Sequence, residues 1–85
     1  MKTKTMKNQS SANISRIFAA KKAIFAHEAT RNGSSRIDSY QESLIDLLAD
    51  LQHFCAANDI YFHECVRMAR GNFEAERERT RNENN

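Results

Sequence analysis

The chain has 85 residues, a formal net charge of +2, two cysteines and no proline. Its length allows one domain at most, and two cysteines exclude a disulfide-stapled scaffold. The sequence shows no transmembrane stretch and no signal-peptide pattern, which predicts a cytoplasmic protein with no membrane partner. Residues 1–9 are expected to form a disordered basic tail, residues 10–78 a single helical domain, and residues 79–85 a disordered polar tail.

The first predicted helix spans residues 13–31. Ser10 or Ser11 can cap its start, and Gly33 supplies the left-handed residue that commonly ends a helix. Its large apolar side chains recur at helical spacing and predict one buried stripe. They are Ile14, Ile17, Phe18, Ile24 and Phe25.

The second and third helices are predicted at residues 39–58 and 62–78. Ser39 and Glu42 form the capping box that starts the second helix. Its apolar face is then given by Tyr40, Leu44, Leu47, Leu48, Leu51, Phe54 and Cys55, and that of the third helix by Phe62, Cys65, Val66, Ala69 and Phe73. The short connection predicts an antiparallel hairpin with these faces inside. The fold class is therefore all-α, and because the hairpin has open sides we expect a dimeric helical bundle.

Charge is divided unevenly along the chain. Residues 1–36 hold eight Lys or Arg against one acid, whereas residues 37–66 hold six acids and no Lys or Arg. Glu42, Asp46 and Asp50 project opposite the leucines of the second helix, beside His53, and form an acidic ridge. Three interpretations stay open for this ridge: a solvated helix face, a binding site for a basic protein or for the first helix, and a Mg²⁺ site.

Part of the chain resembles a known enzyme family. The segment from Asp46 to Glu76 is similar to the last helix pair of the MazG-type all-α nucleotide pyrophosphohydrolases. Asp46 and Asp50 match the first and last acids of that family's E-E-x-x-D metal motif, but Leu47 replaces the middle acid. The preceding E-x-x-E helix has no counterpart, since residues 13–36 contain Glu28 alone. The resemblance therefore implies at most a degenerate nucleotide-binding relative. The same segment resembles short uncharacterised proteins of plasmids and phages.

Two histidine–cysteine pairs, His53 with Cys55 and His63 with Cys65, supply residue types that bind zinc. Residues two apart on a helix point in nearly opposite directions, so neither pair can close on one ion. We therefore expect buried structural thiols, no metal site and no cofactor.

Lys21 and Glu28 lie inside the apolar stripe of the first helix. In an antiparallel pairing of two chains, Lys21 of one copy would meet Glu28 of the other and set the register. The alternative is that both side chains reach out to the rim.

The function predicted from these features is that of a small non-enzymatic helical protein that binds another protein, as an adaptor, regulator or inhibitor. Its predicted contact residues are Glu42, Asp46 and Asp50 on the ridge, and Ile17, Phe18, Lys21, Ile24 and Phe25 on the first helix. An alternative is a nucleic-acid-binding accessory protein that uses Lys2, Lys4, Lys7, Arg16 and Lys22. No recognition-helix pattern or aromatic platform accompanies these basic residues.

Overall fold

Three helices build the chain in a computed structural model, which describes residues 10–34 and 36–83, with side chains up to residue 78. Helix α1 spans Ser11–Asn32, α2 spans Tyr40–Ala57 and α3 spans Phe62–Glu83. The described residues include no strand, so the predicted all-α fold with three helices is confirmed. Helix α3 continues five residues beyond its predicted end at 78. The expected basic tail at residues 1–9 lies outside the described residues.

Local chemistry fixes the helix ends where the sequence predicted them. The Ser10 side chain accepts a hydrogen bond from the backbone N–H of Asn13, and the Ser39 side chain accepts one from Glu42. Gly33 has a φ of 72° and its N–H donates to the carbonyl oxygen of Ala29 at 2.9 Å. These bonds satisfy backbone groups that a helix terminus otherwise leaves unpaired.

The turn between α2 and α3 is short and closed by backbone hydrogen bonds. The N–H groups of Asn58 and Ile60 both donate to the carbonyl oxygen of Cys55, at 3.1 and 2.9 Å. Asp59 adopts a positive φ of 58°, a conformation that Asp and Asn tolerate better than most residues. The turn therefore connects α2 to α3 without glycine.

The packing of the helices differs from the predicted closed hairpin. Arg31 near the end of α1 contacts Asp46 of α2, whereas Asn13 and Arg16 near its start contact Glu76 of α3. Eighteen residues of α1 separate these contacts, which is about 27 Å at 1.5 Å per residue. A closed antiparallel hairpin would instead bring Glu76 beside the first turns of α2. Helices α2 and α3 thus diverge from their turn, and α1 spans the opening between them.

The result is a thin layer of helices with almost no interior. The molecule measures 43 × 33 × 16 Å, and its radius of gyration is 15.2 Å, against about 12 Å for a compact domain of this length. Among the described residues only Asn13, Glu28, Ser43 and Cys55 are buried, and Cys55 alone of these is apolar. Thirteen large apolar or aromatic side chains are at least 41% exposed. Stable domains pack two layers of secondary structure around a core. The described residues of this chain form one such layer.

No helix in the described part of the chain combines the length and apolar character that crossing a bilayer requires.

Candidate protein-binding surface

A polar cluster joins α1 to α2. The Arg31 guanidinium lies 3.0 Å from Asp46 Oδ2 and 3.6 Å from Asp50 Oδ2, and His27 Nε2 lies 2.7 Å from the same Asp50 oxygen. Two residues of the predicted acidic ridge are therefore engaged by the first helix, one of the interpretations left open for it. Glu42 lies one turn before Asp46 and is exposed.

The Asp50 carboxylate is held in its charged form by this cluster. The hydrogen bond from His27 is the main cause that lowers the pKa of Asp50. Partial desolvation raises this pKa, and the positive charge of Arg31 lowers it further. Since a carboxylate has only acceptor sites, His27 Nε2 is the donor. The other ring nitrogen, Nδ1, is buried and has no hydrogen-bond partner among the described residues.

Glu28 lies inside the same contact and not on an outer surface. Its carboxylate accepts a hydrogen bond from the Asn32 side chain, and a hydrogen bond from Ser43 is the main cause that lowers its pKa. Both interpretations of the Lys21–Glu28 pair required an accessible Glu28, and the structure buries it within its own chain. Lys21 is exposed, with its ammonium nitrogen 5.8 Å from the centroid of the Phe25 ring.

Helix α1 is rotated relative to the expected apolar contact. The side that meets α2 carries His27, Glu28 and Arg31 along with the half-buried Ile24. At about 100° per residue, Phe18 and Phe25 lie roughly a third of a turn away from that side. The predicted stripe is thus divided between the helix contact and one open face of the layer.

On α2, Leu44 and Leu51 are displaced from the helix contact in the same way, whereas Leu47 is half-buried. Ser43, Asp46 and Asp50 face α1, so Leu44 and Leu51 lie roughly a third of a turn around the helix. They share the open face with Phe18 and Phe25, because the rings of Phe25 and Tyr40 meet edge to face at 6.3 Å. We call this surface the apolar face and define it by Ile14, Phe18, Lys21, Phe25, Tyr40, Leu44 and Leu51, with Leu48 at its rim.

The apolar face is the feature that the sequence interpretation missed. Leu44 is 43% exposed and Leu51 41% exposed, although both were assigned to the inside of a hairpin. The signal that could have located the face is charge complementarity. His27 and Arg31 are spaced four residues apart on α1, as are Asp46 and Asp50 on α2. Residues four apart lie on the same side of a helix, so each pair presents its charges to one neighbour.

A second contact, between α1 and α3, surrounds a hollow of about 290 Å³. Arg16 Nε lies 3.4 Å from Glu76 Oε2, and the Arg77 guanidinium lies 5.5 Å from the Phe73 ring centroid. Ile17 lines this hollow instead of joining the apolar face.

The basic residues of the nucleic-acid alternative are not brought together by the described contacts. Arg16 is paired with Glu76, and Lys22 is exposed. Lys2, Lys4 and Lys7 lie outside the described residues. Nucleic-acid binding stays a prediction.

The two thiols differ in environment. Cys55 is buried as expected, but Cys65 is exposed, because α3 diverges from α2 and leaves that side of the helix uncovered. In the described part of the chain no three His, Cys, Asp or Glu side chains come together as metal ligands. Asp46 and Asp50, the residues of the pyrophosphohydrolase resemblance, are bound to Arg31 and His27.

Comparisons with protein-family models, with curated proteins and with solved structures found no match to this chain.

Proposed function

We propose that this chain is a non-enzymatic helical module that binds a protein through its apolar face. The observation that supports the proposal is the single helical layer, in which Leu44 and Leu51 of α2 and Phe18 of α1 are exposed. A layer of amphipathic helices is stable when a second layer covers its apolar side. We infer that another polypeptide supplies the covering layer.

The size of the apolar face agrees with such a role. Phe18 and Tyr40 are each 51% exposed, and Leu44 and Leu51 are exposed to a similar degree. With their neighbours they expose on the order of 600 Å² of apolar surface, which is at the upper end of the largest patch on a typical monomer. Patches of this kind mark interaction sites.

Five of the eight predicted contact residues fall into two groups. Phe18, Lys21 and Phe25 belong to the apolar face, and binding should depend on them. Asp46 and Asp50 serve instead to dock α1 on α2, so their substitution should weaken binding indirectly, through the orientation of the two helices.

A photo-activatable cross-linking side chain at Leu44 tests the proposal in the cells that express the chain. Ile45 is the matched control, since it is 55% exposed on the same helix but lies about a third of a turn to the opposite side of the layer. We expect position 44 to form a discrete adduct with a polypeptide, either a second copy or another protein, and position 45 to form none. The absence of any adduct at position 44 would refute the proposed function.

A further inference from the structure

We propose that the polypeptide covering the apolar face is a second copy of this chain, so that two layers pack face to face about a two-fold axis. The inference rests on the proposed function and adds the identity of the partner. It assigns the dimer contact to residues on α1 and α2 together, and it excludes the buried Glu28 from that contact.

The area of the face is what a small homodimer needs. Two faces of the size given above remove on the order of 1,200 Å² of apolar surface from water, before rim side chains are counted. Specific protein complexes bury about 1,200–2,000 Å² in total, so a face-to-face pair reaches the lower end of that range. A single copy is therefore large enough to cover the face, and no larger partner is required.

The charges on and around the face favour self-association. Lys21 is the one charged residue in the definition of the face, and its ammonium lies against the Phe25 ring, where it can remain at the rim. Asp46 and Asp50 are paired at the side of the layer, and the chain carries a net charge of only +2. Two copies therefore meet with little repulsion, whereas a strongly acidic or basic partner would find almost no complementary charge.

The shape of the layer points to the same partner. The uncovered surface is one side of a helical layer only 16 Å thick, and not a groove of the kind that holds a single amphipathic helix. A second layer of the same kind completes the two-layer arrangement that the chain lacks. Among the described residues Cys55 is the one buried apolar side chain, so a second layer would supply the interior that the first lacks.

In a two-fold dimer the face meets itself, so each residue enters the interface twice. Leu44→Asp and Phe18→Asp would each place two charges in the apolar contact. Sedimentation equilibrium of the purified full chain measures the effect. We expect the wild-type chain and Ile45→Asp to be dimers in the micromolar range, with dissociation constants within about threefold of each other. Both face variants should raise the dissociation constant by at least about 100-fold.

A milder variant, Leu44→Ala, tests the same contact if the charged variants fail to fold. Leu44→Ala keeps high helix propensity, so it should still fold when it is associated. Because the dimer would be weaker, its helical circular dichroism should fall on dilution at concentrations where the wild-type signal is constant. A Leu44→Ala chain that dimerises as tightly as wild type would overturn the inference. A wild-type chain that stays monomeric at high micromolar concentration would overturn it too, as would a dimer insensitive to both charged substitutions.

These results separate the inference from the proposed function. A monomeric purified chain whose position 44 cross-links to a different protein in cells would refute the homodimer and leave the proposed function standing. A chain whose position 44 forms no adduct in cells, and whose purified form is monomeric, would refute both.

Discussion

Replacing Gly33 or Gly71 with alanine tests whether backbone conformation alone can set the sign of a stability change in this chain. Gly33 ends α1 with a φ of 72°, whereas Gly71 lies inside α3. A Cβ atom at either position would meet no atom within 4 Å, so neither substitution creates a clash. The two sites therefore differ in backbone geometry and not in packing.

The expected free-energy changes have opposite signs. An alanine at position 33 must adopt a left-handed conformation, which costs about 1–2 kcal/mol. An alanine at position 71 removes the entropic penalty of a glycine in a helix and stabilises by up to about 1 kcal/mol. Unfolding temperature should move by about 4–8 °C per kcal/mol in a domain of this size, downward for Gly33→Ala and upward for Gly71→Ala.

Urea unfolding followed by helical circular dichroism measures both changes. All variants are compared at one protein concentration, because association makes apparent stability depend on it. Gly33→Asn is the control for the conformational argument, since asparagine tolerates the left-handed region and should lose less stability than alanine does. If Gly33→Ala left the unfolding midpoint unchanged or raised it, the assignment of a left-handed helix end at Gly33 would be refuted.

Three further predictions concern single side chains. Ser39→Ala should lower the free energy of unfolding by about 1 kcal/mol, because it removes the hydrogen bond that caps α2; an unchanged urea midpoint would show that the cap adds nothing. The lowered pKa of Asp50, due to its hydrogen bond with His27, contributes stability above the unfolded-state value of about 3.9 and loses it as the pH falls through the folded-state value. Asp50→Asn should therefore be less stable than wild type at pH 7, with a difference that vanishes in acid; a pH-independent difference would contradict this. Cys65 should react with a thiol reagent in the native chain and Cys55 only on unfolding, so a count of two fast thiols would place Cys55 outside the interior.

The features that the sequence predicted correctly are those that depend on near neighbours along the chain. Ser39 caps a helix because its hydroxyl reaches a backbone N–H three residues on. Gly33 ends one because glycine, which has no Cβ, adopts the left-handed conformation without strain. The end of α3 was predicted too early, at residue 78, because the Arg/Glu-rich segment after it has no apolar residue to mark a helix. The helix continues to Glu83 because Arg and Glu have high helix propensity.

The arrangement of the helices depends on residues distant in sequence, and the prediction failed there. The apolar periodicity of α1 indicated which side is hydrophobic, but not that His27 and Arg31 would turn a polar side toward α2. The same limit applies to Cys65. Cys65 follows the apolar spacing of Phe62 and Val66, but its burial required a neighbour that the divergence of α3 removes.

With so few buried side chains, the chain should be unusually permissive to substitution. Most single changes at exposed positions alter stability by less than about 0.5 kcal/mol, and nearly every described position is at least partly exposed. A complete substitution scan would therefore record little about an interior. Positions that reject polar residues would instead trace the outline of whatever polypeptide lies against α1 and α2.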